Sequence, residues 1–505
     1  MERRESVPKV TVILPQLPAS KKNSRTRYFF VAFSHNYMLL YNKIGLMTTD
    51  FCGIGNIFSS GLRFRLRQTF FYGGFFMNYL QIKESLKELL KIDSVQAPAE
   101  EGKPFGKGPY EALDYMLRLG ESMGFAVKNV DGYAGHIEWG EGELFGILCH
   151  LDVVPAGSDW TYPPFGAVEA DGYLYARGTQ DDKSPAVAVL YAMKALKDEG
   201  FVPGKKIRLI LGCNEESGWK CIEHYFEVEE MPVMGFSPDA DFPVINCEKG
   251  VLHMTMSFPT EQTDGFELIS LSGGERVNMV ADHAVCEFVS EEEYAAFDIE
   301  NGHYKLSEQG ISSHGSTPAQ GVNALHKLFE KLVTVTADPA IHQIWERFCR
   351  STDGSDLGLK LSDEKSGALT VNFGRCELKE GRLYCEIDMR YPVSFEKEMI
   401  LDRFREALPL GTLEEVHAQR PLYVEKDHPL VQKLLAAYNQ VTGDHGEPIA
   451  IGGATYSRAL ECCVAFGPVF PGSESTIHQR NERISLEELR KLCDIYYLAI
   501  KSIAE

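Results

Sequence analysis

The 505-residue sequence has no CxxC pair, no internal repeat or low-complexity tract, and fewer basic than acidic residues. Its 51 Lys and Arg against 72 Asp and Glu give a formal net charge of −21, which argues against a nucleic-acid partner. No short apolar segment leads into a small-residue cleavage site, so we expect no signal peptide. Polar residues interrupt the aromatic and aliphatic stretch at 28–47, which disfavours a membrane span. We therefore expect a cytoplasmic protein with no membrane partner.

The twelve cysteines are scattered along the chain. Several of them, including Cys149, Cys213 and Cys493, stand inside apolar strand or helix patterns, as buried reduced thiols do. Cys462 and Cys463 are adjacent, and adjacent cysteines seldom bridge. We expect a reducing compartment and no disulfide framework.

Residues 1–76 differ in composition from the rest of the chain. They contain eleven basic and three acidic residues, whereas the remainder is strongly acidic. We interpret this as two different sequences joined, with native translation starting at Met77 and the leader disordered or not native. A membrane anchor in the leader is the alternative.

Residues 146–157 have the pattern of a buried central strand, which begins at Gly146 and is stopped by Pro155. Open α/β sheets place their chemistry beyond the carboxyl ends of their strands. His150 and Asp152 are two residues apart and therefore point to the same side of this strand. By itself the pair could simply satisfy its own hydrogen bonds near a strand end.

Four further segments carry polar residues in loops, and they read GTQDDK at 178–183, NEESG at 214–218, PDA at 238–240 and STIHQRNE at 475–482. Together with His150 they supply two histidines and at least three carboxylates, and no CxxC pair competes for a metal. Such a donor set suits zinc, cobalt or manganese. Each segment alone has a plainer interpretation, such as a solvated acidic turn, but the joint pattern favours a metal site.

From residue 77 onward the periodicity predicts alternating helices and strands. Ile82, Leu86 and Leu89 recur at helical spacing, and strands are expected at 126–130, 135–139 and 144–150. A helix from Pro185 to Gly200 separates the central strand from another at 207–211, which is the order of a parallel sheet. The expected fold class is therefore α/β.

The residue pattern changes after Gly250, where apolar and polar residues alternate as in a half-buried strand. A region of mixed strands and helices follows. The metal-type motifs stop at Asp239 and resume at His478, so the first domain must be discontinuous. We predict a mainly parallel catalytic domain built from residues 77–251 and 427–505, with an inserted α+β lid domain at residues 252–426.

The order, residue types and spacing of the five motifs resemble the co-catalytic zinc peptidases that include acetylornithine deacetylase, succinyl-diaminopimelate desuccinylase and the carnosinases. Within that family the chain resembles bacterial dipeptidases of the PepV type. The resemblance runs from about Met77 to the C-terminus and leaves out residues 1–76. It implies an aminopeptidase/carboxypeptidase-like catalytic domain that binds two Zn²⁺ ions, for which Co²⁺ or Mn²⁺ could substitute.

By motif position, the resemblance implies that Asp181 bridges the two metals. His150 and Asp239 would complete one metal site, and Glu216 and His478 would complete the other. Two metals that share a water lower its pKa and can polarise a substrate carbonyl.

Two more residues of the same motifs receive roles from the resemblance. Glu215 would be the general base that takes the proton of the attacking water and returns it to the leaving amine. Asp152 would fix the ring of His150.

The inserted region supplies the implied substrate contacts. His314 resembles the lid histidine that stabilises the oxyanion, and Asn278 resembles a substrate-binding lid asparagine. Alternation along 383–390 leaves Arg390 available to bind a carboxylate, although an ion pair with Asp388 or Glu386 explains it equally well. A backbone loop that embraces the C-terminal end of the substrate is implied for Gly452, Gly453, Ala454 and Thr455.

The sequence departs from the family pattern at three positions. The family more often has glycine where Ser184 and Ala454 stand, and proline where Ala281 stands. None of these changes removes a proposed ligand or the base, so they affect the expected fit of the substrate.

These observations favour a dizinc dipeptidase that acts on small unblocked dipeptides. The alternative within the family is an N-acyl amino acid deacylase or desuccinylase. A third hypothesis is a tethered or binding protein with a dead site, but the site residues are all present. The large insert would supply His314 within the same chain, so we expect a monomer.

Overall fold

The computed structural model describes residues 30–34, 37–42, 45–50, 77–261, 265–294, 297–300 and 303–505. The chain divides into two compact units, Met1–Gly74 and Phe75–Glu505. The described residues of the first unit form a three-stranded antiparallel sheet of β1 (Phe30–Ser34), β2 (Tyr37–Asn42) and β3 (Gly45–Asp50). Our interpretation of the rest of residues 1–76 lies outside the described residues.

The second unit contains the helices of the described chain. They are α1 (Tyr79–Leu90), α2 (Lys107–Ser122), α3 (Lys183–Asp198), α4 (Lys220–Val228), α5 (Ala324–Leu332), α6 (Pro339–Ile344), α7 (Lys397–Ala407), α8 (Pro429–Thr442) and α9 (Leu486–Ala504).

Its strands up to the middle of the chain are β4 (Ala126–Val130), β5 (Ala134–Trp139), β6 (Leu144–His150), β7 (Val168–Ala170), β8 (Tyr173–Tyr175), β9 (Lys206–Gly212), β10 (Met234–Ser237), β11 (Ala240–Asp241), β12 (Ile245–Glu248), β13 (Gly250–Pro259), β14 (Phe266–Gly273), β15 (His283–Ser290), β16 (Asp298–Glu300) and β17 (His303–Gln309). The later strands are β18 (Ser362–Asp363), β19 (Gly367–Ala368), β20 (Thr370–Lys379), β21 (Arg382–Tyr391), β22 (Thr412–Gln419), β23 (Leu422–Tyr423), β24 (Ile449–Ile451), β25 (Cys463–Ala465), β26 (Pro468–Val469) and β27 (Arg483–Ser485).

A nine-stranded sheet carries the motif segments. Its order is β23-β12-β25-β10-β6-β9-β5-β4, and β24 also pairs with β12. The central strands β25, β10, β6 and β9 are parallel, whereas β5 and β4 pair antiparallel at one edge. Every residue of β6 is buried because α3 packs on it and parallel strands flank it on both sides.

An eight-stranded sheet of order β16-β17-β15-β14-β20-β21-β13-β22 lies between β12 and β23 in the chain. Its core draws on buried residues from Leu252 to Leu408, including apolar residues of α5, α6 and α7. The core of the nine-stranded sheet draws on residues from Ile82 to Val244 and again from Val424 to Ala504. The chain crosses from one sheet to the other at Lys249 and returns at residues 420–421.

The α/β fold class and the second, inserted sheet agree with the sequence prediction. α1 buries Ile82, Leu86 and Leu89 as its spacing indicated. α3 begins at Lys183, two residues before the predicted proline; Asp182 is the N-cap residue, but its side chain makes no capping hydrogen bond. The domain limits at 251 and 426 stay predictions. Within the described residues, no helix combines the length and the apolar character needed to cross a bilayer.

Candidate metal centre

Three parallel strands bring the first motif residues to one edge of the sheet. β6 ends at His150, β9 is followed by the loop that carries Glu215 and Glu216, and β10 is followed by Asp239. Asp181 stands in the turn before α3. Parallel strands share one carboxyl edge, and this is why residues far apart in the sequence meet here.

Asp181 lies at the centre of two groups of metal-type donors. The first group is His150, Asp181 and Asp239, and the second is Asp181, Glu216 and His478; in each group the ligand atoms lie within 4.8 Å of one another. His150 Nε2 is 2.7 Å from Asp181 Oδ1 and 3.7 Å from Asp239 Oδ2. His478 Nε2 is 2.9 Å from Asp181 Oδ2 and 3.1 Å from Glu216 Oε2. Each oxygen of Asp181 therefore faces its own histidine and carboxylate.

The donor set fits two divalent cations. Burial, followed by the negative charge of Asp181, raises the pKa of Asp239 to about 7, and the same two causes raise the pKa of Glu216. Burial and then the charge of Asp239 raise the pKa of Glu215 well above its usual range. Imidazole nitrogen and carboxylate oxygen are ligands of zinc, cobalt and manganese, and such ions would balance this crowding of buried negative charge.

Asp152 contacts the proposed catalytic loop more directly than the sequence indicated. Its carboxylate accepts hydrogen bonds from the backbone N–H groups of Glu215, at 3.0 Å, and Glu216, at 3.1 Å. The ring of His150 has its Nδ1 3.0 Å from the backbone carbonyl of Asp152, whereas the nearer carboxylate oxygen lies at 3.6 Å. The expectation that the Asp152 side chain fixes the ring of His150 stays a prediction, and the hydrogen bonds to the 214–218 loop add a second contact of the same carboxylate.

The side chain of Glu215 is oriented by an aromatic residue. Trp219 Nε1 donates a hydrogen bond to Glu215 Oε1 at 3.0 Å. Glu215 belongs to neither group of candidate ligands, although it is adjacent to Glu216 in the sequence. This separation from the ligands is what a proton acceptor beside a metal centre requires.

The sequence analysis assigned no role to Glu482, which connects two motif segments. Its buried carboxylate accepts backbone N–H bonds from Gly178, Gln180 and Asp181, and it forms an ion pair with Arg177 at 2.7 Å. Glu482 therefore ties the His478 segment to the turn that carries Asp181. The arginine and the glutamate stand 305 residues apart, so local patterning could not reveal the pair.

Two lid residues of the sequence prediction lie side by side. Gly315 N–H donates to the carbonyl of Asn278 at 2.7 Å, and Met279 forms a β-bridge with His314. The backbone N–H of Ser316 donates to His314 Nδ1 at 3.2 Å, which leaves Nε2 as the protonated nitrogen of a neutral ring. Burial, and then the charge of Arg390, lower the pKa of His314, so the neutral ring is favoured.

Arg390 forms the ion pair that the sequence analysis kept as an alternative. Its Nε and Nη2 donate to the two carboxylate oxygens of Asp388 at 2.7 and 2.8 Å, and its Nη1 donates to the carbonyl of Gly452 at 2.8 Å. The edge of the guanidinium that carries Nε is therefore occupied by Asp388. A substrate carboxylate would have to bind the remaining N–H groups of Nη1 and Nη2. Glu386 pairs with Arg375.

The loop of residues 452–455 contacts the lid. A Cβ placed on Gly452 would lie 2.7 Å from the Cβ of Ser316, so only glycine fits so close to the His314 segment. Thr455, at the other end of the loop, is buried and donates from Oγ1 to Glu248 at 2.8 Å. Of the positions that depart from the family pattern, Ser184 and Ala281 are both buried.

Comparison with known proteins agrees with this geometry. The sequence profile of Peptidase family M20/M25/M40 matches residues 146–502, which include every proposed ligand. The chain belongs to this family, and it is a metallopeptidase. A Bacillus subtilis (strain 168) protein named "Putative dipeptidase YtjP" is 42% identical over 446 residues, covering 83% of this chain and 96% of that protein. A Staphylococcus haemolyticus (strain JCSC1435) protein named "Putative dipeptidase SH1171" is 40% identical over 455 residues, covering 84% of this chain and 97% of that protein.

Solved structures share the fold at low sequence identity. Human carnosine dipeptidase 1 aligns with a TM-score of 0.51 at 14% identity, over 84% of this chain and 97% of its own. The aminoacylhistidine dipeptidase from Vibrio alginolyticus aligns with a TM-score of 0.53 at 12% identity, over 83% and 96%. The chain therefore shares the fold of these two dipeptidases.

Proposed function

We propose that this metallopeptidase is a dipeptidase that hydrolyses unblocked dipeptides. The observation that carries the proposal is Asp181, whose two oxygens each face a separate histidine and carboxylate, with Glu215 beside them outside the ligand groups. The names of the 42% and 40% identical relatives support the same substrate class.

His150 and Asp239 would hold one divalent cation, Glu216 and His478 a second, and Asp181 would bridge them; Zn²⁺ is the proposed ion, with Co²⁺ or Mn²⁺ as substitutes. When bound, such a pair lowers the pKa of a shared water and polarises the substrate carbonyl.

Glu215 accepts the proton of the attacking water at a carboxylate oxygen and passes it to the nitrogen of the leaving amine. Asp152 and Trp219 hold Glu215 by its backbone and its side chain, respectively. Because Asp152 also bonds the N–H of Glu216, it fixes the distance between the proposed base and a proposed ligand.

The lid residues orient the substrate. His314 would donate from Nε2 to the carbonyl oxygen as charge develops there, since its Nδ1 already accepts a hydrogen bond. Asn278 is adjacent to it. The loop of Gly452, Gly453, Ala454 and Thr455, with the remaining N–H groups of Arg390, would take the terminal carboxylate of a dipeptide.

The test is the hydrolysis of three substrates by the zinc-loaded protein: an unblocked dipeptide, an N-acetyl amino acid and a tripeptide. We expect kcat/KM for the dipeptide to exceed the other two by about tenfold or more, in line with the names of the 42% and 40% identical relatives. A faster reaction with the N-acetyl amino acid would instead establish the deacylase alternative.

A further inference from the structure

Arg458 and Glu248 form an ion pair at the junction of the two sheets, outside the proposed metal centre. Arg458 is 4% exposed and Glu248 is fully buried. Arg458 Nε donates to Glu248 Oε2 at 2.7 Å. Removing two charges from water is costly, and a buried ion pair is often no more stabilising than apolar residues of similar size. Stability alone therefore does not explain why these two charges are buried together.

The guanidinium also contacts the backbone of three separate segments. Arg458 Nη2 donates to the carbonyls of Lys249, at 2.5 Å, and Gly453, at 2.6 Å, and Nη1 donates to the carbonyl of Arg420 at 3.0 Å. Lys249 is where the chain enters the eight-stranded sheet, and Arg420 is where it returns. Gly453 belongs to the proposed substrate loop.

Glu248 strengthens the same junction from the other side. Its carboxylate accepts the Oγ1–H of Thr455 at 2.8 Å and the backbone N–H of Thr455 at 3.3 Å. In the sheet, Glu248 pairs with Leu422 of β23 and with Ile451 of β24. One end of the 452–455 loop is therefore fixed to the strand that leads into the lid sheet.

We infer that Arg458, neutralised by Glu248, is a positioning residue that locks the 452–455 loop to both chain crossings and so sets the binding of the substrate's terminal carboxylate. The inference rests on the proposed function. A planar guanidinium can direct N–H groups at four acceptors at once, whereas the single ammonium of lysine cannot. Gly452 at the far end of the loop touches Ser316 beside His314, so a loosened loop would also disturb the lid contact.

The test compares Arg458→Lys with wild type and with Arg208→Lys as the matched control. Arg208 is also buried, at 5% exposed, and pairs with Glu138 in the nine-stranded sheet without touching the loop. The measurements are zinc content, kcat and KM for a dipeptide and for its C-terminal amide, and hydrogen exchange of the amides at 452–455.

For Arg458→Lys we expect unchanged zinc content, a KM for the dipeptide raised at least about tenfold with kcat within about threefold, and a much smaller change for the amide. The loop amides should exchange faster, and Arg208→Lys should show none of these effects. Glu248→Gln keeps the shape of the side chain and should also raise the KM for the dipeptide. This variant replaces Arg458→Lys in the test if Arg458→Lys does not fold.

An unchanged KM, equal losses for the dipeptide and its amide, or the same KM shift in Arg208→Lys would overturn the inference. If the wild type does not cleave dipeptides, the proposed function fails. The exchange measurement still decides whether Arg458 fixes the loop, because it needs no substrate.

Discussion

At the scale of single residues, the candidate centre depends on carboxylates that bind backbone N–H groups. Asp152 accepts two such bonds from Glu215 and Glu216, and Glu482 accepts three in the turn that carries Asp181. Ionised acceptors make hydrogen bonds roughly twice as strong as neutral ones. The proposed ligands and base are therefore held through their main chain, and their side chains stay free for chemistry.

We predict that Asp152→Asn weakens zinc binding about 10–100-fold and lowers kcat at least about tenfold. The new amide NH₂ group cannot accept the second backbone bond, so the 214–218 loop loses one of its two anchors. Calorimetry of zinc binding and steady-state dipeptide hydrolysis measure the two effects.

The control is Asp338→Asn. Asp338 is equally buried and accepts backbone bonds from Ala340, Ile341 and Glu261, but it lies at the start of α6. Asp338→Asn should lower the free energy of unfolding and leave the zinc affinity unchanged. Normal zinc affinity and kcat in Asp152→Asn would refute the anchoring role.

At the scale of secondary-structure elements, the sequence predicted the helices and strands that follow from the local spacing of apolar residues. Helix α1 and strand β6 follow from the spacing of apolar residues, and the order of the motifs indicated which loops meet at one sheet edge. It could not predict Glu482 or Arg458, because each bonds partners hundreds of residues away. It left Arg390 undecided because alternation gives the face of a strand and says nothing about the neighbour that occupies it.

Strand β5 contains a histidine that predicts a pH dependence of stability. His136 is buried and its Nδ1 lies 2.7 Å from the hydroxyl of Tyr225 in α4. Burial, and then the positive charge of Arg208, lower the pKa of His136 from 6.5 to about 4. Its stabilising contribution is therefore present above pH 6.5 and is lost as the pH falls towards 4, because the unfolded state takes up the proton first.

We expect this group to remove about 2 kcal/mol of unfolding free energy between pH 7 and 5. Glutamine does not titrate, so the unfolding free energy of His136→Gln, measured with urea, should fall by about 2 kcal/mol less than that of the wild type between pH 7 and 5. Identical pH dependence in the two proteins would show that His136 is not the titrating group.

At the scale of the whole molecule, the candidate metal centre and the inserted eight-stranded sheet belong to the same compact unit, Phe75–Glu505. The segment that carries His314 also touches the 452–455 loop, because a Cβ on Gly452 would lie 2.7 Å from the Cβ of Ser316. We propose that His314 acts on the centre of its own chain and that the protein works as a monomer.

Mixing the inactive proteins Glu215→Gln and His314→Ala tests this arrangement. His314→Ala should lose about 10²–10³-fold in kcat with its metal content unchanged, since it lacks one oxyanion donor. We expect the mixture to be no more active than the sum of its parts. Recovery of activity would show that the histidine crosses between chains.

The central claim is that Glu215 is the proton acceptor of a centre made by five other residues. The most direct measurement is a zinc titration of metal-stripped wild type and Glu215→Gln, following bound zinc and dipeptide hydrolysis together. We predict that both proteins bind two ions per chain, that activity appears with zinc in the wild type, and that turnover by Glu215→Gln is at least about 10²–10⁴-fold lower. Near-normal turnover by Glu215→Gln, or its failure to bind zinc, would contradict the account.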